Sequence, residues 1–110
     1  MLYVIISEDV DDSLDLRVKA RSKHLERLEE LKNQGRLFVA GPNPSVDCDQ
    51  SKNAGFSGSL IIAEFENLED AIDWAEKDPY IEAGIYIKTT VKPFKKVLPW
   101  KFISKKYSKK

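Results

Sequence analysis

The sequence predicts an α+β domain of order β-α-β-β-α-β, and three observations carry that expectation. Leu2 to Ser7, Ser59 to Phe65 and Ile85 to Val91 are rich in β-branched and aromatic residues, the composition of strands. Two other segments repeat apolar residues at helical spacing, a long one from Leu14 and a short one from Leu68. Each helical segment lies between strands, so right-handed crossovers give a four-stranded antiparallel sheet with both helices on one face. The strands carry apolar residues on both sides, so the second face needs a cover. A second copy of the chain, packed sheet to sheet as a homodimer, supplies one.

The first strand, Leu2 to Ser7, has the pattern of a strand buried on both faces. Asp11, Asp12 and Ser13 can each cap the helix that follows, because their side-chain oxygens accept from free first-turn N–H groups. On that helix Leu14, Val18, Leu25, Leu28 and Leu31 share one apolar arc at about 100° per residue. Arg17, Arg21 and His24 fall inside the same arc. Burying unpaired charge is expensive, so this face must either line a polar cleft or receive carboxylates from elsewhere. The helix ends near Gln34, with Gly35 as a left-handed cap, and a second strand runs from Leu37 to Gly41.

From Pro42 to Gly58 the apolar pattern stops in favour of Pro, Gly, Asn, Asp and Ser. So long a connection between strands is more often functional than idle, and it is a candidate lid or dimer arm. Ser59 to Phe65 is the third strand. Asn67 caps the second helix, in which Leu68, Ala71, Ile72 and Ala75 align, and Pro79 ends it, leaving Asp78 on a turn. In the fourth strand Ile85, Ile87 and Val91 form the inward side, while Tyr86, Lys88 and Thr90 face solvent or a partner.

A chain of 110 residues supports one core. Its apolar runs are too short to cross a bilayer and no basic segment precedes the first of them, which points to a cytoplasmic protein with no membrane partner. Cys48 is the single cysteine, so an intramolecular disulfide and a cysteine-based metal framework are both excluded. No phosphate-binding glycine loop, zinc signature or serine-nucleophile elbow occurs, so no cofactor and no metal site is expected. The net charge is zero, but all eight lysines from Lys92 onward lie in a stretch without acids, and the body carries the negative excess. The aromatics Trp100, Phe102 and Tyr107 interleave with those lysines, a pattern able to bind single-stranded nucleic acid. The acidic body opposes that role, and a solvated extension is the preferred reading.

His24 is the only histidine and the default acid–base candidate. Alone it reads more readily as an idle flank residue. Arg17 and Arg21, on the same arc, add an anion-friendly wall suited to carboxylates or enolates. Asp78 can orient the imidazole by accepting from one ring nitrogen, or merely stabilise its turn. Gly41-Pro42 and the run Gly55 to Ser59 bracket the long loop and permit close backbone approach to a ligand.

Several of these segments occur together in a known pattern. Met1 to Ile5, Arg21-Ser22-Lys23-His24-Leu25, Gly35-Arg36-Leu37, Ala40-Gly41-Pro42, Ala54 to Ser59, Ala63-Glu64-Phe65, Asp78-Pro79-Tyr80 and Val91 to Val97 together resemble the YciI-like family. The resemblance covers residues 1–97 and leaves residues 98–110 as a basic C-terminal extension. It implies a ferredoxin-like β-α-β-β-α-β domain that pairs through its sheet into a dimeric α/β barrel. It also implies an active site on a His–Asp pair, here His24 and Asp78; the reading of the helix face and of the segments bracketing the loop adds Arg17, Arg21, Gly41, Pro42 and Ser59 as candidate substrate-binding residues. Relatives in the wider group include a dehydrochlorinase of a chlorinated hydroxyhydroquinone and muconolactone-isomerase-like proteins. The expected function is therefore cofactor-independent lyase or isomerase chemistry on a small anionic or enolisable compound. The alternative is a dimeric module that binds a small metabolite without turning it over.

Overall fold

The structure is a computed structural model in which residues 1–48 and 54–99 are described. In chain order the elements are β1 (Leu2–Asp9), α1 (Leu14–Asn33), β2 (Leu37–Pro44), β3 (Phe56–Glu64), α2 (Leu68–Glu76), α3 (Pro79–Glu82) and β4 (Tyr86–Phe94). The strands form one antiparallel sheet in the order β2-β3-β1-β4. The α+β class and the β-α-β-β-α-β order are thus those the sequence predicts, with one added turn of helix.

One sheet face holds the core. Tyr3 and Ile5 of β1 lie opposite Ala63 and Ile61 of β3, and Leu31, Ala71 and Ala75 close over them from α1 and α2. Each large apolar side chain so enclosed contributes about 1.5–3 kcal/mol. Leu2, Val4 and Ile6 point the other way, paired across the sheet with Glu64, Ile62 and Leu60, and Val39 of β2 joins them beside Ile62. Ile6 and Val39 remain exposed, and among the described residues no element covers this second face.

Four details differ from the sequence reading, each for a local reason. β2 and β3 extend further, pairing Asn43 with Gly58 and Pro44 with Phe56, because turn-forming residues were enlisted in the hairpin. The intervening loop is correspondingly shorter, and residues 49–53 lie outside the described part. At Gly58 a side chain is excluded: an added Cβ would lie 2.2 Å from the Ser7 carbonyl oxygen. The second difference is at Asp78-Pro79. α2 already stops at Glu76, and Pro79, placed at the first turn, opens α3.

The third difference is a β-bulge between β1 and β4. Glu8 pairs with Lys88 but Asp9 pairs with Tyr86, so Ile87 is the surplus residue and faces outward, 66% exposed. Tyr86 is buried instead, which reverses the inward and outward assignment of these two residues; Lys88 and Thr90 do face away from the helices. The fourth concerns α1. Val18 and Leu25, expected on the buried arc, are exposed, while Arg17, His24 and Leu31 are its buried residues. Those three recur every seven positions, two turns apart, and two of them are polar.

The caps follow the expected chemistry in part. The Asn67 side chain accepts from the Asp70 N–H at 2.8 Å, and Gly35 has φ +73° at the end of α1. Ser13 holds the N-cap position of α1, but its hydroxyl donates to Asp9 instead of capping the helix. Trp100, Phe102 and Tyr107 of the basic extension lie outside the described residues.

Candidate functional site

Between α1 and the β2–β3 edge of the sheet lies a cavity of about 370 Å³. Six of the residues singled out from sequence border it: Arg17, Arg21, His24, Gly41, Pro42 and Ser59. The seventh, Asp78, stands directly behind His24. Most of the remaining wall is apolar, from Leu14, Val18, Leu25 and Leu28 of α1 and Ala40, Phe56 and Ile61 of the sheet.

His24 is 8% exposed and Asp78 4%. The histidine Nδ1 lies 2.9 Å from Asp78 Oδ1, which also accepts from the Tyr80 N–H at 2.9 Å. A carboxylate only accepts, so Nδ1 carries the proton and Nε2 is the nitrogen left for the cavity. Pro79 at the first position of α3 makes Asp78 its N-cap, so the cap also fixes the carboxylate for the histidine. The imidazole lies flat on the Tyr80 ring, with centroids 4.0 Å apart and planes at 6°, and meets the Tyr86 ring edge-on at 6.4 Å. One ring nitrogen is thus held, and rotation of the ring is blocked by stacking.

Arg17 is in a different condition. Its Nε and Nη2 donate to the two oxygens of Asp9 at 2.6 and 3.0 Å, and Nη2 also donates to the Gly58 carbonyl and to Ser59 Oγ. Ser13 Oγ donates to Asp9 Oδ2 at 2.6 Å. Burial opposes the guanidinium charge, but the hydrogen bond and charge of Asp9 outweigh it and raise the Arg17 pKa. Both possibilities left open by the sequence therefore occur on one helix: a carboxylate reaches in to Arg17, and a partly polar cleft opens beside His24. Arg17 lies in the cavity wall with Nε and Nη2 already engaged, whereas Arg21, one turn on, is exposed and makes no ion pair among the described residues.

Sequence reasoning missed Asp9, Tyr80, Tyr86 and Arg27. Asp9 continues the alternation of Tyr3, Ile5 and Ser7, so carrying the strand two residues further finds it. Tyr80 follows Asp78-Pro79 directly. Burial raises the phenol pKa of Tyr80, opposed by Arg17 and Arg21, and raises that of Tyr86 still further, so both are neutral donors. Tyr86 was hidden by the bulge. Arg27 stacks 4.2 Å from the Trp74 ring and donates to the Trp74 carbonyl at 2.7 Å; burial lowers its pKa, offset by Asp78 and Glu30.

A profile of the YCII-related domain matches residues 1–95. The chain belongs to the YCII-related family. Within it, the protein is 55% identical to Protein YciI of Escherichia coli and 52% identical to a protein of Haemophilus influenzae, each over 97 residues, 88% of this chain and 99% of the relative. Among solved structures it is similar to 5-chloro-2-hydroxyhydroquinone dehydrochlorinase of Burkholderia phenoliruptrix in complex with 2,5-dihydroxybenzoquinone. That match has a TM-score of 0.76 and 30% identity over 86% of this chain and 94% of the other. A protein of Agrobacterium tumefaciens shares the fold at 12% identity, with a TM-score of 0.52 over 89% of this chain and 95% of that one. No helix among the described residues is long and apolar enough to cross a membrane.

Proposed function

We propose that this YCII-related protein is an enzyme of lyase or isomerase type, acting on a small anionic or enolisable ring compound bound between α1 and the sheet. The observation that carries the reading is the buried His24–Asp78 pair at 2.9 Å, set in the wall of a cavity that is otherwise mostly apolar. Asp78 holds the proton on Nδ1, so Nε2 takes a proton from the substrate as general base. The electron pair left behind delocalises onto a substrate oxygen, which Arg21 at the cavity rim stabilises electrostatically. The imidazolium then returns its proton at another atom of the same compound, or a leaving group departs with its electron pair and the imidazolium releases its proton to water. The ring ligand held by the similar dehydrochlorinase suits this chemistry and the cavity's size.

The second sheet face, on which Ile6 and Val39 are exposed beside the half-buried Val4, supports the companion proposal of a homodimer, in which two sheets close into a dimeric α/β barrel. Light scattering of the wild type and of Ile6→Lys tests it, with a dimer expected for the first and a monomer for the second.

For the activity, 5-chloro-2-hydroxyhydroquinone is the first substrate to offer, with chloride release followed in the wild type, His24→Gln and Asp78→Asn. Turnover that falls in both variants supports the dyad. Binding of 2,5-dihydroxybenzoquinone without turnover of this or related ring compounds favours the binding module instead. Equal turnover in wild type and His24→Gln removes His24 from the chemistry.

A further inference from the structure

Ser59 Oγ stands at the meeting point of three groups. Arg17 Nη2 lies 2.9 Å away, Tyr86 Oη 2.6 Å away, and the cavity borders the residue on its remaining side. A guanidinium N–H only donates, so it occupies one lone pair of the serine oxygen. The Tyr86 contact is open to either direction on distance alone. The proton count decides it. If Ser59 donated to Tyr86, the phenol proton would have no acceptor among the described residues, in a ring only 8% exposed. If Tyr86 donates to Ser59, the phenol proton is satisfied and the serine proton is left for the cavity, where a ligand or water can accept it. A buried polar hydrogen without a partner is the costlier arrangement, so the second holds.

We propose that Ser59 is a fixed hydrogen-bond donor to the cavity ligand, that Tyr86 is the positioning residue which fixes it, and that the site therefore selects compounds presenting a carbonyl, enolate or carboxylate oxygen at Ser59. Arg17 and Tyr86 saturate the acceptor capacity of Ser59 Oγ, so the serine presents its proton and rejects a ligand that offers a donor at that point. The Arg17 charge polarises the same hydroxyl, and Asp9 keeps Arg17 in place. The β1–β4 bulge is what turns Tyr86 inward beside Asp9, so a backbone irregularity sets the polarity of the site. The proposal rests on a ligand occupying the cavity, as the proposed function requires, but not on His24 acting as a base.

The test is a double-mutant cycle on binding of 2,5-dihydroxybenzoquinone by calorimetry, with Ser59→Ala, Tyr86→Phe and the double variant, each checked for a folded melting transition. Ser59→Ala is expected to weaken binding about tenfold, as loss of a hydrogen bond to a charged acceptor does. Tyr86→Phe weakens it about threefold, and the double variant binds no worse than Ser59→Ala, because Tyr86 acts only through Ser59. Additive losses would make Tyr86 a structural residue, and undiminished binding by Ser59→Ala, or no binding by the wild type, would overturn the donor. A readout without ligand accompanies the cycle: the Tyr86 hydroxyl proton should give a slowly exchanging NMR resonance with a cross-peak to the Ser59 Hβ protons. A Tyr86 proton pointing elsewhere overturns the assignment. His24→Gln separates the two proposals. If it and the wild type bind the probe equally, Ser59→Ala still binds weakly and none turns over a substrate, the donor stands and the catalytic reading fails.

Discussion

Two acids meet the buried face of α1 two turns apart, and they leave their partners in opposite conditions. Asp9 takes Arg17 into a network in which Nε and Nη2 of Arg17 and both carboxylate oxygens are engaged. Asp78 takes only one nitrogen of His24 and leaves the other facing the cavity. The first arrangement spends its polarity on holding β1, α1 and β3 together. The second keeps one group in reserve, which is what acid–base chemistry requires. Similar residue types on one helix face thus differ in how many of their hydrogen-bonding positions the fold fills, and the proposed reactive role falls to the one left with a position open.

The largest effect should come from opening the Asp9–Arg17 network. Asp9→Ala leaves a buried guanidinium without its carboxylate and is expected to cost about 3–5 kcal/mol in urea unfolding. A variant as stable as the wild type would dissolve the distinction between the two pairs. His24→Gln attacks the other side. It should reduce turnover by about 10²–10⁴-fold, the span of general acid–base catalysis, while unfolding within about 1 kcal/mol of the wild type. In the neutral wild-type imidazole, nitrogen-15 spectra should show the proton on Nδ1, a preference that weakens in Asp78→Asn.

A pH experiment separates the pairs less sharply but reports on the wall between them. Burial raises the pKa of both Tyr80 and Tyr86, so the folded protein holds their protons more tightly than the unfolded chain does. Their stabilising contribution is complete below the ordinary phenol value of 10.0 and is lost as pH rises through the folded values. Phenolate absorbance should therefore appear for these two only above the range of free tyrosine and together with unfolding. The smallest effect belongs to Arg21. Being exposed, it should contribute no more than about fivefold to the binding of 2,5-dihydroxybenzoquinone, lost in Arg21→Gln and diminished by added salt.

The fold class was readable because hydrophobic period is a local property. The 3.6-residue repeat of α1 and α2 and the composition of β1 and β3 specify elements without reference to what they touch. Misplaced cations on α1 were equally local, and they announced a polar interior behind Arg17, Arg21 and His24 before any partner was known. Pairing is not local. Asp78 reaches His24 across 54 positions, and Arg17 reaches Ser59 across 42. One surplus residue, Ile87, exchanges the faces of Tyr86 and Ile87, and no period-two reading detects a bulge that exists only relative to the neighbouring strand.

The sequence by itself determined the order of the elements, the helix face that had to be polar and the residues available for proton transfer. Tertiary structure decided which cation was neutralised and which stayed free, and it turned Tyr86 towards Ser59. The physical reason is that burial and periodicity are encoded residue by residue, whereas the saturation of a hydrogen-bonding group depends on register between strands and on what the whole fold brings within 3 Å of it.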